Sequence, residues 1–261
     1  MIQDLGADAA KYYDLFCNAH SADVAFYRRL LPEANSSVLE LGCGTGRVLV
    51  PLAQTGAHMH GLDHSPAMLA ICRQKLAVTG IDESRARVER RDICEFSLKR
   101  HFDLIIAPFR VMQNLESDSQ VEGMLECIRE HLSPGGTCVL NVFKPKYEPE
   151  EMRRCWIRQG EVTVAELQSP DNRGVRYVYS ERWPRMDAER LILYPEIIYR
   201  YYENEQLINE SVLQVSMRCW YPSQFEELVT GHGFLIVNRW GGYAGEQWGH
   251  GSELVLQFRR A

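Results

Sequence analysis

The chain has 261 residues, of which 45% are hydrophobic and 25% are charged, as in an ordinary globular protein with a substantial core. Its 35 acidic residues outnumber its 29 basic ones, and the resulting net charge of −6 argues against nucleic acid as an obligate partner. The first residues contain no basic region followed by an apolar run, and no apolar run reaches the length of a membrane span. We therefore expect a cytoplasmic protein with no secretory signal and no membrane partner.

Short strands and helices alternate along the first half of the chain. An amphipathic helical segment ends at Pro32, and strand and helix then alternate five times, which predicts a doubly wound, mainly parallel sheet. The strands are predicted over 38–41, 58–63, 87–92, 102–108 and 137–143, with helices over 47–54, 66–78 and 118–132.

The pattern changes between residues 144 and 219. Segments of strand character at 162–167, 175–183, 191–202 and 212–217 are separated by turn residues, as at 169–174, and they predict an antiparallel meander. The α/β pattern then resumes with a helix over 222–230 and strands over 234–240 and 253–259. We therefore expect a seven-stranded, mainly parallel core formed by residues 1–143 and 220–261. Residues 144–219 would be an insertion that acts as a lid or as a dimerisation element.

The eight cysteines are scattered along the chain without a single C-x-x-C pair. Several stand within apolar runs, so buried reduced thiols are expected rather than a disulfide framework. No metal site is predicted, and the lack of paired spacing argues against thiol or metalloid chemistry.

The first strand runs into a glycine-rich turn, Gly42-Cys43-Gly44-Thr45-Gly46. Glycines at alternate positions let a ligand approach the backbone closely, and the helix that follows presents unpaired N–H groups towards it. The spacing differs from the Gly-x-Gly-x-x-Gly of dinucleotide binders. With Glu40 two residues before the first glycine, the stretch resembles the first motif of class I S-adenosylmethionine (SAM)-dependent methyltransferases.

Later segments extend this resemblance over residues 36–143. Asp63 ends the second strand, where an acid can accept hydrogen bonds from both ribose hydroxyls, although NAD enzymes also use an acid there. Arg91-Asp92-Ile93 resembles the position that reads adenine, where a carboxylate accepts from the amino group and the next N–H reaches a ring nitrogen. Residues 102–110 resemble the fourth motif, which closes over the methionine part, and Leu132-Ser133-Pro134-Gly135-Gly136 resembles the turn into the fifth strand.

The resemblance implies a Rossmann-like sheet with helices on both faces, SAM as the cofactor, and a set of contact residues. Alternatives stay open: Asp63 as a helix cap, Asp92 as a solvated loop acid, and Met68, Tyr12 and Tyr13 as core. The residues expected at the cofactor are Glu40, Gly42, Gly44, Thr45, Gly46, Asp63, His64, Met68, Asp92, Ile93, Pro108 and Tyr13.

The acceptor is expected beyond the carboxyl ends of the parallel strands. Arg110, Gln113 and Asn114 follow the fourth strand, and Arg110 alternatively pairs with an internal acid. If the sixth strand is parallel to the first five, the glycine-rich loop 241–251 lies at the same edge, with Tyr243 and Trp248 as further acceptor contacts. The competing interpretation of that loop is a flexible hairpin.

The reaction requires little from side chains. A sulfonium methyl group is already activated, so alignment of the attacking atom supplies much of the catalysis, up to about 7–11 kcal/mol. A neutral amine needs only to be aimed, whereas a hydroxyl, phenol or carboxylate could require a base such as His250, although a lone loop histidine is usually solvated. No other catalytic residue is predicted.

The leading hypothesis is transfer of a methyl group from SAM to a nitrogen or oxygen of a small-molecule acceptor by in-line displacement. The layout resembles small-molecule N- and O-methyltransferases with an antiparallel insertion after the fifth strand, including the glycine and amino-sugar N-methyltransferase type. The Asn/Asp-Pro-Pro-Tyr motif of many nucleic-acid methyltransferases is absent, and Ala107-Pro108-Phe109-Arg110 stands in its place. The alternatives are an NAD-dependent oxidoreductase and a non-catalytic SAM-binding protein. The acceptor, the attacking atom and the oligomeric state, with a homodimer as one option, stay open.

Overall fold

The computed structural model describes residues 7–17, 21–169 and 171–261. Part of the predicted opening helical segment and Pro170 of the predicted turn 169–174 lie outside these ranges. The α-helices of the described residues are α1 (Ala7–Cys17), α2 (Ser21–Arg29), α3 (Leu49–Gln54), α4 (Pro66–Val78), α5 (Asp118–His131), α6 (Pro149–Cys155) and α7 (Pro222–Gly231). The strands are β1 (Ser37–Leu41), β2 (His58–Asp63), β3 (Ala86–Arg90), β4 (Phe102–Ala107), β5 (Leu132–Phe143), β6 (Arg158–Gln168), β7 (Val175–Asp187), β8 (Ile192–Glu203), β9 (Gln206–Gln214), β10 (Met217–Arg218), β11 (Phe234–Trp240) and β12 (Glu253–Arg260).

The main sheet has seven strands in the order β11-β12-β5-β4-β1-β2-β3. Strands β1 to β5 are mutually parallel, and β12 is antiparallel to both β5 and β11. Strand β11 therefore points in the same direction as β1 to β5. As predicted, the loop after β11 leaves the sheet at the edge where the parallel strands end.

Helices cover both faces of this sheet because successive strand residues point in opposite directions. In β1, Leu39 and Leu41 belong to the apolar cluster that includes side chains of α5 and α7, whereas Val38 belongs to the cluster beneath α2, α3 and α4. Side-chain caps begin two of these helices, Ser65 at α4 and Ser117 at α5. The predicted α/β fold class is confirmed.

Residues of the predicted insertion form a second, antiparallel sheet. Its strands lie in the order β10-β8-β7-β6. Strand β9 also pairs with β8, on the side of β8 where β10 lies. Helix α6 precedes this sheet and was not predicted, although Pro149 at its first turn and the following Glu150 and Glu151 are typical of a helix start. The division into a core and an insertion stays a prediction.

Several predicted boundaries were wrong, among them that of the strand over 212–217, because β9 ends at Gln214 and β10 begins at Met217. Helix α3 begins at Leu49 rather than at residue 47, because the glycine turn runs further along the chain. Residues 133–136 belong to an irregular beginning of β5 rather than to a free turn, with Gly135 at a φ of +83° and a register shift against β4.

All eight cysteines carry free thiols, and Cys43, Cys72, Cys127, Cys138 and Cys219 are buried. Among the helices in the described part of the chain, none is both long and apolar enough to cross a membrane.

Candidate functional site

A cavity of about 800 Å³ opens at the edge where the parallel strands of the main sheet end. One wall consists of the turn after β1 and the ends of β2 and β4. The facing walls come from α1, from α6 and from the second sheet. A volume of this size lies within the range of small-molecule sites.

The glycine turn presents bare backbone to this cavity. Gly42, Gly44 and Gly46 all have positive φ angles, of 68°, 52° and 79°, which L residues rarely adopt. A Cβ atom on Gly42 would lie 2.5 Å from the side chain of Val111, whereas at Gly44 no atom lies within 4 Å of the Cβ position. Gly44 therefore leaves open space in which a ligand can approach the main chain.

Asp63 connects the end of β2 to this turn. Its Oδ2 accepts a hydrogen bond of 2.8 Å from the Gly44 N–H, and its Oδ1 accepts one of 2.8 Å from the Ser65 N–H. The residue is only 8% exposed and lines the cavity. Both the predicted ligand contact and the alternative, a role at the start of α4, are compatible with this geometry, since each carboxylate oxygen has further lone pairs.

Further predicted cofactor residues line the same wall of the cavity. Met68 is 4% exposed and reaches the cavity from α4. Asp92 accepts a hydrogen bond of 2.8 Å from the Cys94 N–H, and Ile93 follows it at the cavity. His64 also lies there, with its side chain 43% exposed and Nδ1 3.6 Å from Asp63 Oδ1. These residues form the wall of the cavity next to the glycine turn.

The segment after β4 is held in a strained conformation. Phe109 and Arg110 have positive φ angles of 58° and 67°, which costs energy in non-glycine residues. The Phe109 ring packs edge-on against Tyr13 at 6.3 Å, and the Arg47 guanidinium lies 5.0 Å from its centroid. Pro108, Phe109 and Tyr13 all line the cavity, so this aromatic group closes the space above the end of β4.

Some predicted cofactor residues lie behind the turn instead of lining the cavity. Glu40 is 2% exposed, and burial raises its pKa well above the ordinary value. Thr45 is 1% exposed and donates a hydrogen bond of 2.6 Å to Asp14 of α1. A Cβ atom on Gly46 would lie 2.5 Å from Cys72 Sγ. These three residues support the turn from within the core.

The predicted acceptor residues after β4 separate into two kinds. Arg110 and Asn114 line the cavity. Arg110 also forms an ion pair with Glu253, with Nε 3.1 Å from Oε1, which is the alternative that the sequence left open. Gln113 is 1% exposed and bridges the main chain of Arg218 and Phe143, so its role in the structure is to connect strands.

The loop after β11 reaches the predicted edge, but its aromatic and imidazole side chains do not line the cavity. Tyr243 packs against Phe26 of α2 at 5.5 Å. Trp248 packs against the main core, and His250 is exposed, with Nδ1 3.1 Å from the Trp248 carbonyl oxygen. The loop closes on itself through the Gly241 N–H and the Glu246 carbonyl, which directs these side chains away from the site.

Residues 144–219 were expected as a lid or a dimerisation element, but the sequence did not identify the individual residues of this region that line the cavity. Alternating residues of β7 and their neighbours on β8 and β9 face the cavity, and the aromatic alternation in β7 was the available signal. The lining residues from this region are Lys144, Lys146, Tyr147, Met152, Trp156, Arg158, Tyr179, Glu181, Trp183, Pro195, Ile197, Tyr199, Leu213, Val215 and Met217.

Comparisons with known proteins agree with this geometry. Residues 38–136 match the family described as a methyltransferase domain. The chain is 29% identical to a dTDP-3-amino-3,6-dideoxy-alpha-D-glucopyranose N,N-dimethyltransferase of Streptomyces fradiae over 61% of each chain. It is 30% identical to a dTDP-3-amino-3,4,6-trideoxy-alpha-D-glucopyranose N,N-dimethyltransferase of Streptomyces venezuelae, over 58% of this chain and 62% of the relative. The chain thus spans about three fifths of the length of these curated relatives.

A solved structure, the CcbJ methyltransferase of Streptomyces caelestis, superposes with a TM-score of 0.74 at 23% identity, covering 92% of this chain and 90% of that one. This likeness shows the fold, and the domain match places the glycine turn within a methyltransferase domain. The resemblance to class I SAM-dependent methyltransferases that the sequence indicated is therefore confirmed.

Proposed function

We propose that this chain, whose residues 38–136 match a family described as a methyltransferase domain, transfers a methyl group from SAM to a nitrogen or oxygen of a small-molecule acceptor. The observation that carries the proposal is the continuity of the cavity. One space contacts the glycine turn, Asp63 and Asp92 on one side, and the second sheet on the other. Its volume of about 800 Å³ suits a cofactor and a small acceptor bound side by side.

The residues at the main sheet fit SAM. The open position at Gly44 leaves room for the methionine part beside the main chain. Asp63 is oriented by the Gly44 and Ser65 N–H groups and has lone pairs left for the ribose hydroxyls. Asp92 and Met68 supply a carboxylate and an apolar surface for the adenine.

The chemistry needs alignment more than side-chain participation. Bound SAM would supply an activated methyl group for in-line attack by the acceptor's lone pair. The protein's contribution is to hold the acceptor against the methyl group and to exclude water, and such positioning is worth up to about 7–11 kcal/mol. Tyr13 and Phe109 close the cavity where this exchange would take place.

The proposal extends to the acceptor and to the insertion. Two relatives are named as amino-sugar N,N-dimethyltransferases, and we propose an acceptor of comparable size, with no nucleic acid partner and a cytoplasmic location. Residues 144–219 act as the acceptor-binding lid. Exposed apolar side chains on the edge strands β6 and β9, among them Val164 and Ile208, support a homodimer as a second role, which sedimentation velocity would test.

Calorimetric titration tests the cofactor, and an acceptor panel tests the reaction. SAM and S-adenosylhomocysteine are expected to bind, and NAD is not. Mass spectrometry should then detect methylated products from a panel of amines, amino-sugar nucleotides, phenols and carboxylic acids. Binding of NAD alone would overturn the proposal, and SAM binding without any transfer would favour a non-catalytic SAM-binding protein.

A further inference from the structure

Glu181 stands on the face of the second sheet that lines the cavity. It lies between Tyr179 and Trp183 in the alternation of β7, and all three line the cavity. Its partners across the strand pair, Ile197 opposite Glu181 and Tyr199 opposite Tyr179, line it as well. The carboxylate is thus set in a wall made largely of aromatic and aliphatic side chains.

The acids on the opposite face of this sheet have arginine partners. Glu196 lies 2.8 Å from Arg182, and Glu210 lies 2.6 Å from Arg200, which also pairs with Glu161. In residues 7–17, 21–169 and 171–261, Glu181 forms no such ion pair. Its Oε1 instead accepts a hydrogen bond from the Tyr179 hydroxyl. Burial raises the pKa of Tyr179, so this hydroxyl stays protonated and remains a donor.

Glu181 also differs from the other acids that line the cavity in the described part of the chain. Asp63 and Asp92 lie at the main sheet, and each accepts hydrogen bonds from backbone N–H groups. Glu181 lies on the acceptor side and has one oxygen free of Tyr179. The five cations that line the cavity have other contacts: Arg91 pairs with Glu89, Arg110 pairs with Glu253, Lys144 donates to the Gly249 carbonyl, and Lys146 and Arg158 lie over the rings of Tyr147 and Trp183.

Aromatic contacts connect this position to the segment after β4. The Tyr179 ring lies 5.6 Å from Phe16 of α1, and Tyr13 of the same helix packs edge-on against Phe109. Glu181 therefore belongs to the same enclosed space as the end of β4. A single carboxylate among tyrosine and tryptophan rings is a combination that favours an ammonium ion, through a charged hydrogen bond and cation–π attraction.

We propose that Glu181, held by Tyr179, binds the acceptor as an ammonium ion and takes the proton that the amine loses before it attacks. This rests on the proposed function and makes the acceptor an amine. The ammonium group gives one proton to the Glu181 carboxylate, which becomes a neutral acid. The freed nitrogen lone pair forms the N–C bond while the methyl C–S bond breaks, and that electron pair stays on sulfur. The products are S-adenosylhomocysteine and the methylated ammonium ion, and Glu181 then releases its proton to solvent.

Binding of matched neutral and cationic probes tests the assignment without requiring turnover. Protein saturated with S-adenosylhomocysteine is titrated with benzylamine and benzyl alcohol, and with cyclohexylamine and cyclohexanol. The wild-type chain should bind each amine at least about tenfold more tightly than its alcohol, as expected for one charged hydrogen bond. Glu181→Gln should remove this preference while keeping its affinity for S-adenosylhomocysteine. Tyr179→Phe should reduce the preference several-fold.

Glu196→Gln is the matched control, because Glu196 lies on the opposite face of the same sheet. It should keep the wild-type preference for amines. With an amine acceptor identified by the panel, Glu181→Gln should raise KM and lower kcat, whereas the control should change neither. A wild-type chain without amine preference, or a Glu181→Gln variant that retains it, overturns this assignment even if SAM binding and methyl transfer are intact. Absence of SAM binding instead overturns the proposed function.

Discussion

Asp14 and Thr45 lie 31 residues apart in the chain, and a hydrogen bond of 2.6 Å joins Asp14 Oδ1 to the Thr45 hydroxyl. The other carboxylate oxygen of Asp14 lies 2.6 Å from Lys75 Nζ. Asp14 thereby attaches α1 to the glycine turn and to α4 at once. Helix α1 also places Tyr13 and Phe16 at the cavity. This one carboxylate therefore connects the α1 wall of the cavity to the wall formed by the glycine turn.

Asp14→Ala should therefore accelerate cofactor release. Loss of the two contacts frees α1 to open, and we expect SAM to dissociate several-fold faster, with a fall in the free energy of unfolding of about 1–2 kcal/mol. Stopped-flow displacement of bound SAM measures the rate. Leu15→Ala, on the exposed side of the same helix, is the control and should release SAM at the wild-type rate. An unchanged rate in Asp14→Ala would show that α1 does not retain the cofactor.

Gly44→Ala should impair cofactor binding more than it impairs stability. The new methyl group meets no protein atom within 4 Å, so its steric effect falls on the ligand that occupies that space. We expect at least about a tenfold loss of SAM affinity by calorimetry. The positive φ of 52° adds a cost of about 1 kcal/mol to folding.

Gly80→Ala is the matched control for this backbone strain. Gly80 has a φ of 70°, also has no atom within 4 Å of its Cβ position, and lies at the end of α4, away from the residues that line the cavity. The two variants should lose similar stability, and Gly80→Ala should bind SAM like the wild type. Equal SAM affinities in both variants would contradict a ligand beside Gly44.

Local signals were sufficient to predict most of the fold. Buried parallel strands appear as short apolar runs, and the Ser65-Pro66 start of α4 depends only on neighbouring residues. The start of β5 was missed because Gly135 permits an irregular strand that sequence alone does not distinguish from a turn. Helix α6 was missed because a seven-residue helix shows little periodicity.

The candidate site also has one part that local motifs predict and another part that they do not. The predicted cofactor contacts that line the cavity, such as Gly44 and Asp63, belong to contiguous motifs. The cavity-lining residues of the second sheet could not be predicted in this way, because they depend on how distant strands pair. The irregular pairing of β6 with β7 influences which of their side chains face the cavity. Tyr243 was misplaced because its packing partner Phe26 lies on a distant helix, a contact that the loop sequence does not encode.

Asp23→Asn should destabilise the protein strongly. The carboxylate of Asp23 and the guanidinium of Arg47 form a bidentate pair at 2.8 and 2.5 Å, with side chains only 1% and 8% exposed. Removing one charge of a buried ion pair typically costs about 3–5 kcal/mol. Urea denaturation measures the loss. Asp118→Asn, whose side chain is 79% exposed beside Arg218, should change stability by less than about 1 kcal/mol, and equal effects would contradict this account.

His60 should make stability depend on pH between about 6.5 and 4. Burial is the largest influence on this side chain and lowers its pKa from 6.5 to about 4, although Glu89, 3.2 Å away, opposes the shift. Below pH 6.5 the unfolded chain takes up a proton that the folded chain excludes, so the free energy of unfolding falls as the pH falls. The loss attributable to His60 should reach about 2 kcal/mol at pH 5.

The difference between the denaturation curves of the wild type and of His60→Gln from pH 7 to 5 measures this contribution, because buried Glu40, whose pKa is raised, is present in both proteins, and the pKa of Glu89 is lowered from its ordinary 4.5. His60→Gln removes the titrating group, so the variant should lose stability less steeply than the wild type over this interval. Above pH 7 the imidazole is neutral in both states, and the remaining difference between the two proteins there should be independent of pH. Parallel slopes from pH 7 to 5 would show that His60 is protonated equally in the folded and unfolded chains.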